Sequence, residues 1–152
     1  MAIHRILLSC LFLMAFFRWA FAQDTEKSFR GVTFTIPTPI TVKEISYPGQ
    51  PGDFTLLSFC RGKQEIMFCY LGNAPEFPSK DDAKVTTEKV GDTAYQSVRY
   101  RGEDGKYRRD ILLTFPHKLS EKTARYAHLF YTEANPGDTK TVRRIITTFK
   151  KK

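Results

Sequence analysis

The sequence predicts an α+β protein, a mostly antiparallel sheet of about seven strands with two helices packed on it. Three observations carry that prediction. Short segments alternate apolar and polar residues between Gly- and Pro-rich turns, as in Val32, Phe34 and Ile36. The stretch Asp92–Thr132 reads as three successive strands, Asp92–Arg101, Lys106–Phe115 and Ala124–Thr132, the first two joined by Gly102-Glu103-Asp104-Gly105. Val142, Ile145, Ile146 and Phe149 fall at i, i+3, i+4 and i+7, an amphipathic helical stripe that needs a sheet face to lie on.

The chain starts with an address. Met1–Ala22 has the layout of a secretory signal peptide: His4 and Arg5 are positive, Ile6–Phe17 is apolar, and Ala20-Phe21-Ala22 is a small-x-small cleavage site. The apolar run falls short of the ~20 residues that span a bilayer, and Arg18 interrupts its exit side, so cleavage after Ala22 is expected. Residues 23–152 then make a single domain of 130 residues, secreted or periplasmic, long enough to bury a core without metal or dense disulfides.

Within that domain Phe29–Ile36 is the first strand, ended by Pro37 and Pro39, which lack a ladder donor. Ile40–Tyr47 is a shorter strand, closed by the turn-rich loop Pro48–Asp53. Phe54–Cys60 and Glu65–Leu71 are apolar on both faces, which requires cover on each side. Ser79 caps an expected helix Lys80–Val90, with Asp81 and Asp82 in its first turn where carboxylates complement the dipole. After the three central strands comes the loop Glu133–Asp138. Asp138 or Thr139 caps the last helix, which runs to about Lys150 with Arg143 and Arg144 on its polar side.

Charge narrows the partners. The chain carries a formal +8, and loss of Arg5 and Arg18 with the signal peptide leaves +6. Such a surface attracts acidic protein faces, acidic glycans and head groups at a membrane surface. For an exported protein nucleic acid is the least accessible of the anions, and none is expected.

Cys10 leaves with the signal peptide, so Cys60 and Cys69 are the cysteines of the domain. An oxidising compartment favours a disulfide between them. If Gly62-Lys63 is the tip of a tight hairpin, Cys60 lies opposite Glu65 and Cys69 stands four residues farther on, out of reach at about 3.3 Å per residue. A wider loop, Arg61–Met67, would set them opposite each other. From the sequence, a bridge and two buried thiols both stand open.

Catalytic and metal chemistry find no pattern to rest on. His117 and His128 are the histidines of the domain, and their spacing is not that of a zinc site. There is no Gly-x-Ser-x-Gly elbow, no phosphate-binding glycine loop and no cofactor motif. Asp81-Asp82 suit a helix start and Glu103-Asp104 a turn. His128 shares a strand side with Tyr126 and Phe130 and reads as a hydrogen-bonded, half-buried histidine. No catalytic residue, metal ligand or cofactor is assigned.

The arginines remain. Arg99, Arg101, Arg108 and Arg109 flank the turn Gly102–Gly105 and are the candidate binding residues. A two-residue turn would set Arg99 opposite Arg108. A bulge at Gly105 would set Arg99 opposite Arg109 and Arg101 opposite Tyr107. Either register faces like charges across strands, which costs stability unless an anion or Asp110 intervenes. Guanidinium forks hold carboxylate and phosphate bidentately, so a binding face for an acidic partner follows. The competing reading is a solvated strand end whose arginine stems cover apolar surface.

Phe34-Thr35-Ile36-Pro37, the Val90-Gly91-Asp92 entry to the central strands and the ending Val142–Lys150, in this element order, resemble the PsbP-like fold family of small lumenal and bacterial envelope proteins. The resemblance implies a non-enzymatic role in binding or assembling a partner and carries over no catalytic residues. The expected function is therefore an exported, non-catalytic binding or assembly module, whose partner is a protein or an anionic envelope component. The alternative is a carrier that holds a small apolar or lipid ligand between sheet and helices, and a small hydrolase with spatially assembled residues is a third reading.

Overall fold

The computed structural model describes residues 23–46, 52–77, 83, 85–90, 93–116 and 123–151. Residues 1–22, read from the sequence as a signal peptide, the loop around residue 48, His117 and most of the stretch before Val85 lie outside them. In chain order the elements are β1 (Thr25–Phe29), β2 (Val32–Ile36), β3 (Ile40–Ile45), β4 (Thr55–Arg61) and β5 (Gln64–Gly72). There follow β6 (Val85–Val90), β7 (Thr93–Arg101), β8 (Tyr107–Thr114), β9 (Tyr126–Thr132), α1 (Pro136–Ile146) and β10 (Lys150–Lys151). Seven strands form one sheet in the order β3-β4-β5-β9-β8-β7-β6, and β1-β2-β10 form a second, smaller one. Every pairing is antiparallel. The architecture is mostly antiparallel sheet with one helix, among the described residues, where the sequence predicted two.

Three expectations are corrected. The helix placed at Lys80–Val90 gives way, over its described part, to the edge strand β6, paired with β7 from Val85↔Val98 to Val90↔Thr93. Val85, Thr86, Thr87 and Val90 are β-branched and fit a pleated edge better than a helix. The strand read as Phe29–Ile36 is a hairpin instead. Arg30 and Gly31 turn the chain in the left-handed region, with φ of 46° and 72°, and β1 folds back on β2. The last helix starts and stops early. Its N-cap is Asn135, whose side chain accepts from the Gly137 amide at 2.8 Å, with Pro136 opening the first turn, where its missing N–H costs nothing. It ends at Ile146, and Lys150–Lys151 pair with β2 as strand.

Cross-strand partners share a face, so the registers sort the side chains. One face carries Leu57, Phe59, Cys69, Leu71, Ile111, Leu113 and Leu129, all buried. They join Val142, Ile145 and Ile146 of α1 and Val32, Phe34 and Ile36 of β2 in one core. Phe34 is its centre, stacked on Phe149 at 4.6 Å and tilted against Phe59 at 5.4 Å. The opposite face carries stacked aromatics, Phe54 on Tyr70 at 5.3 Å and Phe68 on Phe130 at 5.4 Å. Phe77, in the connection from β5 to β6, stands edge-on to His128 there.

The large sheet is split at one end. The β5–β9 register runs from Gly72↔Tyr126 to Phe68↔Phe130 and stops, while β4–β5 continues to Arg61↔Gln64 and β8–β9 to Arg108↔Thr132. A cavity of about 380 Å³ lies in the fork, between residues 64–68 and 130–132. Arg61 ties the β4–β5 tip to the helix. Its guanidinium donates to buried Asp138 and, at 2.7 Å, to Thr141 Oγ1.

The hairpin is the tight one. Cys60 lies opposite Glu65 and Cys69 opposite Leu57, and both are free, buried thiols. Burial pushes the Cys69 thiol well above its ordinary range.

Candidate anion-binding site

The turn after β7 decides which arginines meet. Gly105 sits in the left-handed region (φ 76°) and donates to the Gly102 carbonyl, and Gly102 donates to Lys106 O at 2.8 Å. This sets Arg101 opposite Tyr107 and Arg99 opposite Arg109, the bulged register of the two considered. Period-two alternation then separates the four candidates. Arg99, Arg101 and Arg109 share the face on which α1 packs, and Arg108 takes the other face opposite Tyr100.

The like-charge pair is resolved by a carboxylate. Glu133 accepts from Arg99 Nε and from Arg109 Nε, each at 2.7 Å, one on each carboxylate oxygen. Its own amide donates to Tyr107 O at 2.8 Å, which fixes the residue beside the start of β8. Arg109 Nη1 also donates to Ser97 Oγ at 3.1 Å, and the Arg99 guanidinium lies 3.7 Å over the Tyr107 ring. Burial alone would raise the Glu133 carboxyl, but the two arginine hydrogen bonds outweigh it and hold the group below the usual carboxylate range. The same bond to Glu133 raises Arg99. Both guanidinium planes are therefore held before any ligand arrives.

Arg101 and Arg108 do not join them. Arg101 Nε closes the turn on Gly105 O at 3.0 Å, and Arg108 faces Asp104 at 3.6 Å with both side chains about half exposed. Their places are taken by the helix. An open cleft of about 730 Å³ is lined by Arg99, Arg109 and Glu133 on the strand side and by Thr139, Lys140 and Arg143 on the α1 side. Lys140 and Arg143 lie three residues apart and so share one helix face, a spacing the sequence displayed without showing what that face met. Glu133 carried no local signal, since its partners stand 34 and 24 residues away.

The other polar centre is on the opposite face. Asp110 and His128 are both buried, and His128 Nε2 lies 2.7 Å from Asp110 Oδ1. Burial, then a hydrogen bond to Asp110, raises the Tyr100 phenol. A histidine–carboxylate pair is two members of a nucleophilic triad. Here Phe77 and Phe130 pack against the ring, and no serine or cysteine is bonded to it among the described residues. Among those residues there is also no group of three or more metal-ligating side chains, and no helix long and apolar enough to cross a membrane.

No family model, curated protein or solved structure matches this chain, so the reading of the cleft rests on its own geometry.

Proposed function

We propose that the protein is an exported, non-catalytic binding or assembly module, and that it docks an acidic partner protein or another anionic envelope component in the cleft between α1 and β7–β8. One observation carries this reading. Two guanidinium groups are locked by a single carboxylate, with two further cations on the facing helix. Preorganised donors lose little freedom on binding, and a basic cleft steers an acidic partner toward it.

The carrier alternative has less to support it. It needs an apolar cavity between sheet and helix, and there Ile111, Leu129, Val142 and Ile145 are at most 3% exposed. The test is capture of partners from the native exported fraction by wild type and by an Arg99→Ala/Arg109→Ala/Lys140→Ala/Arg143→Ala variant. Acidic partners should be lost in the variant and released from wild type by salt. Equal capture by both proteins rejects the proposal.

A further inference from the structure

We infer that the cleft selects a doubly charged tetrahedral anion, a phosphate or phosphate monoester, and that Glu133 is the positioning residue that sets the two arginines for it. The inference rests on the anion-binding reading above and names the ligand class and the determinant of selectivity.

Glu133 takes both arginines through Nε, at 2.7 Å each. A guanidinium bound at Nε keeps terminal N–H donors in the same plane, and these planes are fixed, one by Ser97 and one by the Tyr107 ring. Both arginines line the cleft. Glu133 therefore aims the forks without using all their donors.

Charge selects among anions. Arg99, Arg109, Lys140 and Arg143 surround one carboxylate in the cleft, so more than one positive charge is left over. A lone carboxylate cannot balance that excess. A phosphate monoester, at about −1.5 to −2 near neutral pH with three acceptor oxygens, can. The helix lines the cleft with side chains, and two of its first-turn amides are already taken, Gly137 by the Asn135 side chain and Thr139 by the Asn135 carbonyl.

Glu133 has an opposed role available, that of a built-in competitor occupying the arginines until a ligand displaces it. The two roles forecast opposite signs. Removing a competitor tightens anion binding, and removing a positioning group loosens it even though a negative charge is lost. Glu133→Asp sharpens the distinction, since it keeps the charge and shortens the reach to both Nε atoms.

The experiment titrates inorganic phosphate and acetate into the wild-type, Glu133→Gln and Glu133→Asp proteins by calorimetry, with circular dichroism confirming that each is folded. Phosphate should bind wild type at least about tenfold more tightly than acetate, and each variant should lose about tenfold in phosphate affinity, the scale of one charge-assisted hydrogen bond. Tighter binding by Glu133→Gln, or unchanged binding by Glu133→Asp, overturns the positioning role. Arg109→Lys keeps the charge, removes the fork and should weaken phosphate binding as well. Vesicles of phosphatidic acid, a monoester, set against phosphatidylglycerol, a diester, locate the source. Preference for the monoester vesicles places the ligand on a lipid, and phosphate binding without vesicle recruitment places it on a soluble molecule. Either outcome supports the inference. A protein that binds polyglutamate and ignores phosphate overturns this inference and leaves the acidic-partner reading standing, whereas one that binds neither removes both.

Discussion

Glu133 accepts one hydrogen bond from each of two guanidinium groups, so its loss would leave two cations facing each other on adjacent strands. Its folded pKa lies below the ordinary value, so at acid pH the unfolded chain binds more protons than the folded one. The stabilisation is therefore complete above the ordinary glutamate value of about 4.3 and is lost as pH falls through the lower folded value. Urea unfolding at pH 7 should show Glu133→Gln less stable by about 1 kcal/mol, a figure reduced for solvent exposure. The two proteins should converge as the pH falls toward 2. A gap that persists there would place the effect outside the titration. The sequence offers Arg99 opposite Arg109 as one of two registers, with an anion or Asp110 as the group to intervene. Alternation alone turns Asp110 to the face opposite Arg109, where it meets His128. The true neutraliser lies on another strand's end and leaves no local trace.

At the scale of elements, the helix stripe was legible and its ends were not. Val142, Ile145, Ile146 and Phe149 are all buried, as the spacing required, yet Phe149 lies beyond the helix. The Thr147 and Thr148 hydroxyls donate to Arg144 O and Ile145 O, and the chain then turns to let the ring stack on Phe34. Phe149→Ala should cost about 3–5 kcal/mol by denaturant unfolding, as for a core aromatic and unlike a frayed helix end. The cap gives a second check. Asn135→Ala should cost about 1 kcal/mol, and Thr139→Ala, at a position expected from sequence as a cap, only a few tenths. Asp138, the other expected cap, is buried against Arg61, a contact 77 residues long that periodicity cannot see. Helix propensity argued weakly at Lys80–Val90. There the dipole-complementing Asp81 and Asp82 suggested a helix, and the pairing of β6 with β7 decided the described part as strand.

The whole molecule combines what alternation predicts with what it cannot. An antiparallel sheet, apolar on both faces and covered on one side by the last helix, follows from local pattern. The second sheet does not, because it forms when Lys150–Lys151 return to β2 from the far end of the chain. Nor does the fork in the large sheet, since nothing in β5 or β9 announces where pairing stops. That fork divides the sheet into two leaves, β3-β4-β5 and β9-β8-β7-β6, sewn together by the five pairs from Gly72↔Tyr126 to Phe68↔Phe130. At the open end the leaves are held by Arg61 on α1, so Arg61→Met should cost about 2 kcal/mol by leaving Asp138 buried without its cation. The leaves should also part before they melt. Native-state hydrogen exchange in rising denaturant should release the amides of β4 and β5 together, below the concentration that releases β8 and β9, and Arg61→Met should widen the interval. A single exchange isotherm for all four strands would make the sheet one cooperative unit. Two isotherms would make the fork a seam, along which the molecule opens without unfolding the cleft on its other leaf.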